Sequence, residues 1–178
     1  MAYQPIETER LTIRRFRPDD FWELFEYLSD EDVVRYEPYE PYTRSESVRE
    51  AEFRSHSDEF FAVTPKGGRL IGNLYLGKRA YETRELGFVF SRAWQGQGYA
   101  TEAARALLTH AFSEWDVHRV TASCDPRNER SRKLMERLGM RREGEFRQSV
   151  YYKRDAQGRP IWQDTLQYAI LRDEWNLS

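Results

Sequence analysis

Residues 85 to 115 read Glu85-Leu-Gly-Phe-Val-Phe-Ser91, then Arg92-Ala-Trp-Gln-Gly-Gln-Gly-Tyr-Ala100, then a long amphipathic run to Trp115. The first piece has strand character. Leu86, Phe88 and Phe90 alternate along one face, and Val89 on the other implies that both faces are covered. The last piece is a helix, because Ala100, Ala103, Ala104, Leu107, Leu108, Ala111, Phe112 and Trp115 fall at i, i+3, i+4, i+7 and onward. Between them Gly96 and Gly98 remove side chains where backbone amides face out of a helix N-terminus. Unpaired amides and the positive end of the helix dipole suit an anion, most naturally a phosphate.

The spacing restricts which phosphate ligand fits. A nucleotide-hydrolase loop needs Gly, four residues, then Gly-Lys-Ser/Thr, and no lysine follows Gly98. The dinucleotide pattern Gly-x-Gly-x-x-Gly fits Gly96 and Gly98, but Thr101 stands at the third glycine. About twenty residues on, where an acidic ribose ligand is expected, the chain reads Asp116-Val117-His118. A dinucleotide module is kept as an alternative, as is a tight structural turn that uses glycine only for positive φ.

At these residues the sequence resembles the GNAT superfamily of acetyl-CoA-dependent acetyltransferases, whose signature here is Gln/Arg-x-x-Gly-x-Gly/Ala. Gln95-Gly96-Gln97-Gly98-Tyr99-Ala100, continued by Thr101, matches it. The resemblance implies that this turn cradles the pyrophosphate of acetyl-CoA and that the strand Phe88-Val89-Phe90 pairs with the pantetheine arm. It extends over nearly the whole chain. Thr8-Glu9-Arg10-Leu11-Thr12-Ile13-Arg14, the run Asn128 to Met140, Glu143-Gly144-Glu145-Phe146-Arg147 and Trp162-Gln163-Asp164 are similar to the branch containing the ribosomal-protein N-terminal and spermidine acetyltransferases. Dimers are common in such families, so a homodimer is one expectation.

Length and composition set wide bounds. The 178 residues suit one domain, 1–178, with a sizeable core. With 39% hydrophobic and 33% charged residues, the chain can both fold and stay in water. No apolar run approaches the ~20 residues of a membrane span, and Met1-Ala-Tyr-Gln-Pro5 lacks a secretory leader's features. The expectation is a cytoplasmic protein with no membrane partner. Net charge is −2 with both signs interspersed, so no basic stripe announces nucleic acid. His56, His110, His118 and the single Cys124 lack metal-ligand spacing, and no metal is expected. Cys124 alternates with Val120 and Ala122 on a predicted strand and reads as a small hydrophobe rather than a nucleophile.

The rest of the chain gives further elements. Arg10 to Phe16 predicts a strand, Phe21 to Leu28 a helix, and Thr43-Arg-Ser-Glu46 a capping box that starts a helix running to about His56. Glu59 to Thr64 and Leu70 to Lys78 form a hairpin, joined by Glu85 to Ser91 into an antiparallel meander. Arg119 to Cys124 is a strand, Asn128 to Leu138 a helix closed by Gly139, and Met140 to Lys153 and Ile161 to Leu171 two final strands. The expected fold class is α/β (α+β): a mixed, mostly antiparallel sheet of six to seven strands flanked by about four helices. This is also what the resemblance implies.

Acetyl transfer to an amine needs a neutral nucleophile, a stabilised oxyanion and a proton for the departing thiolate. Glu85 is the candidate base, beside the space left by Gly87 and similar in position to the glutamate of histone-acetylating members. Its alternative is a structural carboxylate paired with Arg84 or Arg119. Many family members place a proton-donating tyrosine seven residues after the asparagine of the second motif, where this chain has Met135. That departure points to Ser131 as the acid, as in the ribosomal branch, with Asn128 as a pantetheine ligand. Both residue types are also ordinary at helix starts. The base that some ribosomal-protein members carry on a late strand should fall near Ser149 to Tyr151, and no carboxylate stands there. The acidic, aromatic connector Asp30 to Tyr42 is either a solvated loop or a substrate rim in which Tyr36, Glu37 and Tyr39 meet a cationic amine. The reading is an N-acetyltransferase that uses acetyl-CoA on a protein N-terminus, a polyamine or another small amine. The alternative is a module of the same fold that binds or senses acyl-CoA without turnover.

Overall fold

The computed structural model describes residues 3–175. Its strands are β1 (Ile6–Glu7), β2 (Leu11–Arg14), β3 (Phe60–Pro65), β4 (Gly72–Lys78), β5 (Thr83–Phe90), β6 (Arg119–Cys124), β7 (Arg141–Val150) and β8 (Gln163–Leu171). They form one sheet in the order β1-β2-β3-β4-β5-β6-β8-β7. Every pairing is antiparallel except β5 with β6. The helices are α1 (Phe21–Leu28), α2 (Arg44–His56), α3 (Tyr99–Glu114), α4 (Glu129–Arg137) and α5 (Arg172–Trp175). The mixed, mostly antiparallel architecture is the expected one, with one more strand and one more helix. Both additions are short: β1 is two residues folded back on β2 by the Thr8–Arg10 turn, and α5 is a single turn after β8. Elements of that length carry no periodicity to read.

The sheet is covered on both faces, as Val89 implied. Against one face, α3 lays down Ala103, Ala104, Leu107, Leu108, Ala111 and Phe112, all buried, on Leu11, Ile13, Phe61, Val63, Leu74 and Leu86. Against the other, α1 and α2 bring Leu24, Tyr27, Leu28 and Ala51 onto Phe16, Ala62, Leu70 and Val89. Alternate residues of β3 thus enter different cores, as a pleated strand requires. The Thr43 capping box forms: the Glu46 N–H donates to Thr43 Oγ1 at 3.3 Å, and the Thr43 N–H to Glu46 Oε2 at 2.7 Å. Gly139, at φ +77°, ends α4 in the left-handed conformation that glycine adopts freely.

The feature that positions the site is the brevity of the parallel pairing. β5 and β6 are in register only at Thr83 with Arg119, Arg84 with Val120, and Glu85 with Thr121. Beyond Glu85, β6 stays with β8 as far as Cys124 opposite Leu166, while β5 stays with β4 as far as Phe90 opposite Gly72. The sheet splits there, and from Leu86 onward one edge of β5 has no strand partner among the described residues. A sheet interior with unpaired amides and carbonyls is a place for a ligand backbone to pair.

Candidate active site

The split opens a cleft of about 340 Å³. Its floor is Glu85, Leu86, Gly87 and Phe88 of β5, one wall is Ser123, Cys124, Asp125, Asn128 and Ser131, and the β7–β8 hairpin adds Tyr152, Asp164 and Thr165. The connector closes it from above with Tyr36, Glu37 and Pro38. Three ties hold the connector across the opening. Arg92 Nε donates to Asp30 Oδ2 at 2.9 Å, Tyr36 donates to the Arg127 carbonyl at 3.5 Å, and Lys153 reaches Glu40 at 3.2 Å. The connector therefore borders the cleft through Tyr36, Glu37 and Pro38.

At the far end of β5 the glycine turn forms as expected. Gly96 and Gly98 have φ of +75° and +82°, and Gly98 is the N-cap of α3. The amides of Tyr99, Ala100 and Thr101 lie in the first helical turn, where no intrahelical acceptor exists. A Cβ on Gly96 would meet nothing within 4 Å, so the turn faces open space. Side chains stitch it from behind. Gln97 Nε2 donates to the Ala93 carbonyl at 2.9 Å, and Gln95 Nε2 to the Phe90 carbonyl at 2.8 Å while Arg130 donates to its Oε1. Gln95 and Gln97 therefore shape the turn with their side chains. Arg10, from the opening motif, donates to the Gln97 carbonyl at 3.1 Å and to Glu102 at 2.6 Å, with its guanidinium 4.3 Å from the centre of the Tyr99 ring. Thr8 binds the same Glu102 at 2.6 Å. The opening motif is thus a clamp on the turn, a role its sequence did not reveal.

The candidate chemical residues fall as follows. Asn128 caps α4, its Oδ1 accepting the Ser131 N–H at 3.1 Å, and Ser131 is 8% exposed at the cleft wall. Burial pushes the neighbouring Cys124 thiol up to about 11, against a smaller opposing effect of Ser131, out of the range of a nucleophilic thiolate at neutral pH. Met135 is buried in the core and has no access to the cleft. Phe88 lines the cleft, whereas the side chains of Val89 and Phe90 are buried on opposite faces of the sheet, leaving only their backbone to meet a ligand. Glu85 lines the cleft and pairs with Arg79, rather than with Arg84 or Arg119. Arg119 pairs with Glu143 instead. The ring of Tyr75 lies across Gly77, where a Cβ would fall 2.0 Å from its hydroxyl oxygen, and a Cβ on Gly87 would lie 3.4 Å from the Tyr75 Cβ.

Tyr36 and Glu37 line the cleft, but Tyr39 does not. Its ring packs edge-on to Tyr42 at 5.1 Å between centroids. Burial raises the Glu37 carboxyl to about 7, against the smaller opposing effects of Tyr39 and Arg54. Tyr75, Arg79, Tyr152 and Asp164 are cleft residues that the sequence pattern does not single out. For Asp164 a signal existed, since Trp162-Gln163-Asp164 leads into β8, which pairs with β7. Burial raises the Tyr152 phenol, helped by Glu37, Glu85 and Asp125. Three carboxylates therefore converge on one ring. Acidic groups set among tyrosines suit a cationic amine, and a free strand edge leading to a helix N-terminus suits an extended ligand ending in phosphate. No group of residues with metal-binding geometry occurs among the described residues, and none of their helices is long and apolar enough to cross a membrane.

Comparison with known proteins agrees with this geometry. The Acetyltransferase (GNAT) domain family matches residues 10–141. The N-acetyltransferase YnaD of Bacillus subtilis, itself uncharacterized, is 35% identical over 177 residues, covering 96% of this chain and 99% of YnaD. The [ribosomal protein uS5]-alanine N-acetyltransferase of Escherichia coli is 27% identical over 188 residues, covering 96% and 92%. The crystal structure of a GNAT-family acetyltransferase from Bacillus anthracis superposes with a TM-score of 0.87 at 36% identity, covering 96% of this chain and 99% of that one. Matched by the family across most of its length and by relatives nearly end to end, the chain belongs to the GNAT acetyltransferases and is an N-acetyltransferase.

Proposed function

We propose that this enzyme moves the acetyl group of acetyl-CoA to a primary amine in the cleft between β5 and β6, by direct attack and without a covalent enzyme intermediate. The observation that carries the reading is the split itself. It puts an unpaired strand edge, a glycine turn at a helix N-terminus, a buried serine and several carboxylates on one path. The amides of Gly98, Tyr99, Ala100 and Thr101 would hold the pyrophosphate, and the free edge of Phe88 to Phe90 would pair with the pantetheine arm and donate to the oxyanion. Asn128, already ordering Ser131, would meet the same arm, and Ser131 would protonate the departing thiolate. Bound acetyl-CoA supplies the activated acyl carbon. A cytoplasmic setting is consistent with the lone unpaired thiol.

The acceptor is a protein N-terminus, a polyamine or another small amine. The rim supports any of these through Tyr36, Glu37 and Glu85, two of them carboxylates facing the incoming ammonium. A proton leaving that ammonium goes to one of those two.

Calorimetric titration with acetyl-CoA, with NAD as the competing ligand, tests the cosubstrate. Micromolar binding of acetyl-CoA and none of NAD is expected, and the reverse would end the acetyl-transfer reading. Thiol release from acetyl-CoA is then followed with an alanine-initiated peptide, spermidine and a simple alkylamine. Ser131→Ala is expected to lower kcat by about 100-fold, the lower end for a positioned proton donor, with acetyl-CoA affinity unchanged. An unchanged kcat would remove Ser131 from the mechanism. Arg10→Ala unlatches the turn and leaves Glu102 without its cation beside the phosphate-binding amides. Acetyl-CoA affinity should fall on the order of tenfold, and the loss should shrink as salt screens the carboxylate.

A further inference from the structure

An ammonium must shed a proton before its nitrogen can attack, so the cleft needs a carboxylate that is inside it and not already neutralised by a cation. Glu85 is inside it, but Arg79 pairs with it. Asp125 is held by Arg127 at 2.6 Å. Asp164 has no cation partner among the described residues, but its Oδ1 is already engaged by the Gln148 N–H at 2.7 Å. Glu37 lines the same cleft and makes no ion pair among the described residues.

Its surroundings explain why it stays unpaired. The nearest buried cation is Arg54 of α2, which is 3% exposed and directs Nε to Glu50 Oε1 at 2.7 Å. Its guanidinium lies 4.6 Å from the centre of the Phe60 ring, so it acts on Glu37 through its field. Tyr39 of the connector favours the ionised form of Glu37, and Tyr152 lies in the same cleft, from the hairpin after β7. Glu85 and Arg79 line the same cleft. Glu37 thus has a tyrosine behind it, a cation acting from a distance and an open front.

We propose that Glu37 is the proton acceptor for the amine, with Glu85 and Arg79 serving as a fixed ion pair in the cleft wall. This rests on the acetyl-transfer reading above and names the base within it. In the step, one proton passes from R–NH3⁺ to the Glu37 carboxylate, and the freed lone pair forms the C–N bond at the thioester carbon. The C–S pair then leaves with sulfur. Sulfur takes the Ser131 proton, Ser131 recovers one from the tetrahedral nitrogen, and the proton on Glu37 goes to solvent. The balance is one amide, one thiol and one released proton. A carboxyl raised to about 7 suits this role. Ionised at pH 8, it accepts a proton more readily than an ordinary carboxylate does.

The sign follows. The base works ionised, so kcat/KM should fall as pH drops through about 7. With the fastest amine among an alanine-initiated peptide, spermidine and an alkylamine, Glu37→Gln should lower kcat at pH 8 by about 100-fold or more. KM for the amine should stay within about threefold, and the acid limb should vanish from the residual activity. Glu85→Gln should keep that limb. A Glu37→Gln enzyme with wild-type kcat, one that raises only KM, or a limb that disappears in Glu85→Gln would overturn the assignment. ¹³C-carboxyl titration of labelled apo protein reads the same group without turnover. A resonance titrating near 7 and absent in Glu37→Gln supports the proposal, and a Glu37 resonance titrating near 4.5 refutes it. Failure of acetyl-CoA to bind the wild type would instead bring down the parent reading, and this one with it.

Discussion

Replacing Gly98 with valine should weaken acetyl-CoA binding about 1,000-fold while leaving the protein folded. Gly98 sits at φ +82° as the N-cap of α3. A β-branched residue held there costs roughly 1–2 kcal/mol of backbone strain, and relief by rotation would turn the first amides of α3 away from their common focus. With the strain relieved in this way, two charge-assisted hydrogen bonds to a phosphate are lost at ~2 kcal/mol each, about 4 kcal/mol or three decades in affinity. The added side chain also crowds the clamp, since a Cβ at this position lies 3.4 Å from Arg10 Nη2. Gly96→Ala, with open space in front of it, should be much milder. Calorimetry gives both affinities, and far-UV circular dichroism shows whether the fold persists. A Gly98→Val protein that is folded and binds within threefold of wild type would mean that these amides are not the phosphate cradle.

The glycine turn and α3 could be read from the sequence because each is a local consequence of residue type. Glycines at Gly96 and Gly98 permit positive φ, and a long apolar period has one helical solution. The Thr43 and Asn128 caps were legible for the same reason, each depending on a side chain and an amide three residues away. The split between β5 and β6 was not. It depends on where two distant strands stop pairing, and nothing in Glu85-Leu-Gly-Phe says that parallel pairing ends at Glu85. The partner of Glu85 was missed likewise. Arg84 adjoins it in sequence and Arg119 lies on the parallel strand, but Arg79, just past the end of β4, is the one that pairs with it.

The connector shows a second limit. Tyr36, Glu37 and Tyr39 are adjacent in composition, yet the fold sends Tyr39 into the packing behind Glu37 and leaves the other two in the cleft. That division is made by α2, the element with the weakest apolar pattern. Its buried residues are Ser47, Ala51 and Arg54, a stripe at i, i+4 and i+7 that carries no hydrophobic signature. The buried charge beneath the rim, and with it the unusual environment of Glu37, is therefore a tertiary property. It appears only once α2 is laid against α1 and β3.

Arg54 is where stability and chemistry should move together. Arg54→Ala removes the cation from Glu50 and from the faces of Phe16 and Phe60. Breaking a buried pair this way costs about 3 kcal/mol, the low end for such changes, because Glu50 is 22% exposed and can recruit water. Arg54 Nη1 also has no hydrogen-bond partner to lose. For a chain of this size Tm should fall by roughly 6–12 °C. The chemical effect has a definite sign. The Arg54 field favours the ionised form of Glu37 and so holds its carboxyl lower than burial alone would. Without that field the carboxyl rises further, and the acid limb of kcat/KM moves to higher pH. Arg54→Met separates the two effects. Its thioether refills the space between the rings, so the loss of stability should shrink to about 1–2 kcal/mol, while the limb moves in the same direction as in Arg54→Ala. Thermal melts give the first quantity, and pH profiles with ¹³C titration of Glu37 give the second. A limb that stays in place or moves to lower pH in Arg54→Met would break the link between α2 and the rim, and with it the account of why this carboxylate is poised near neutrality.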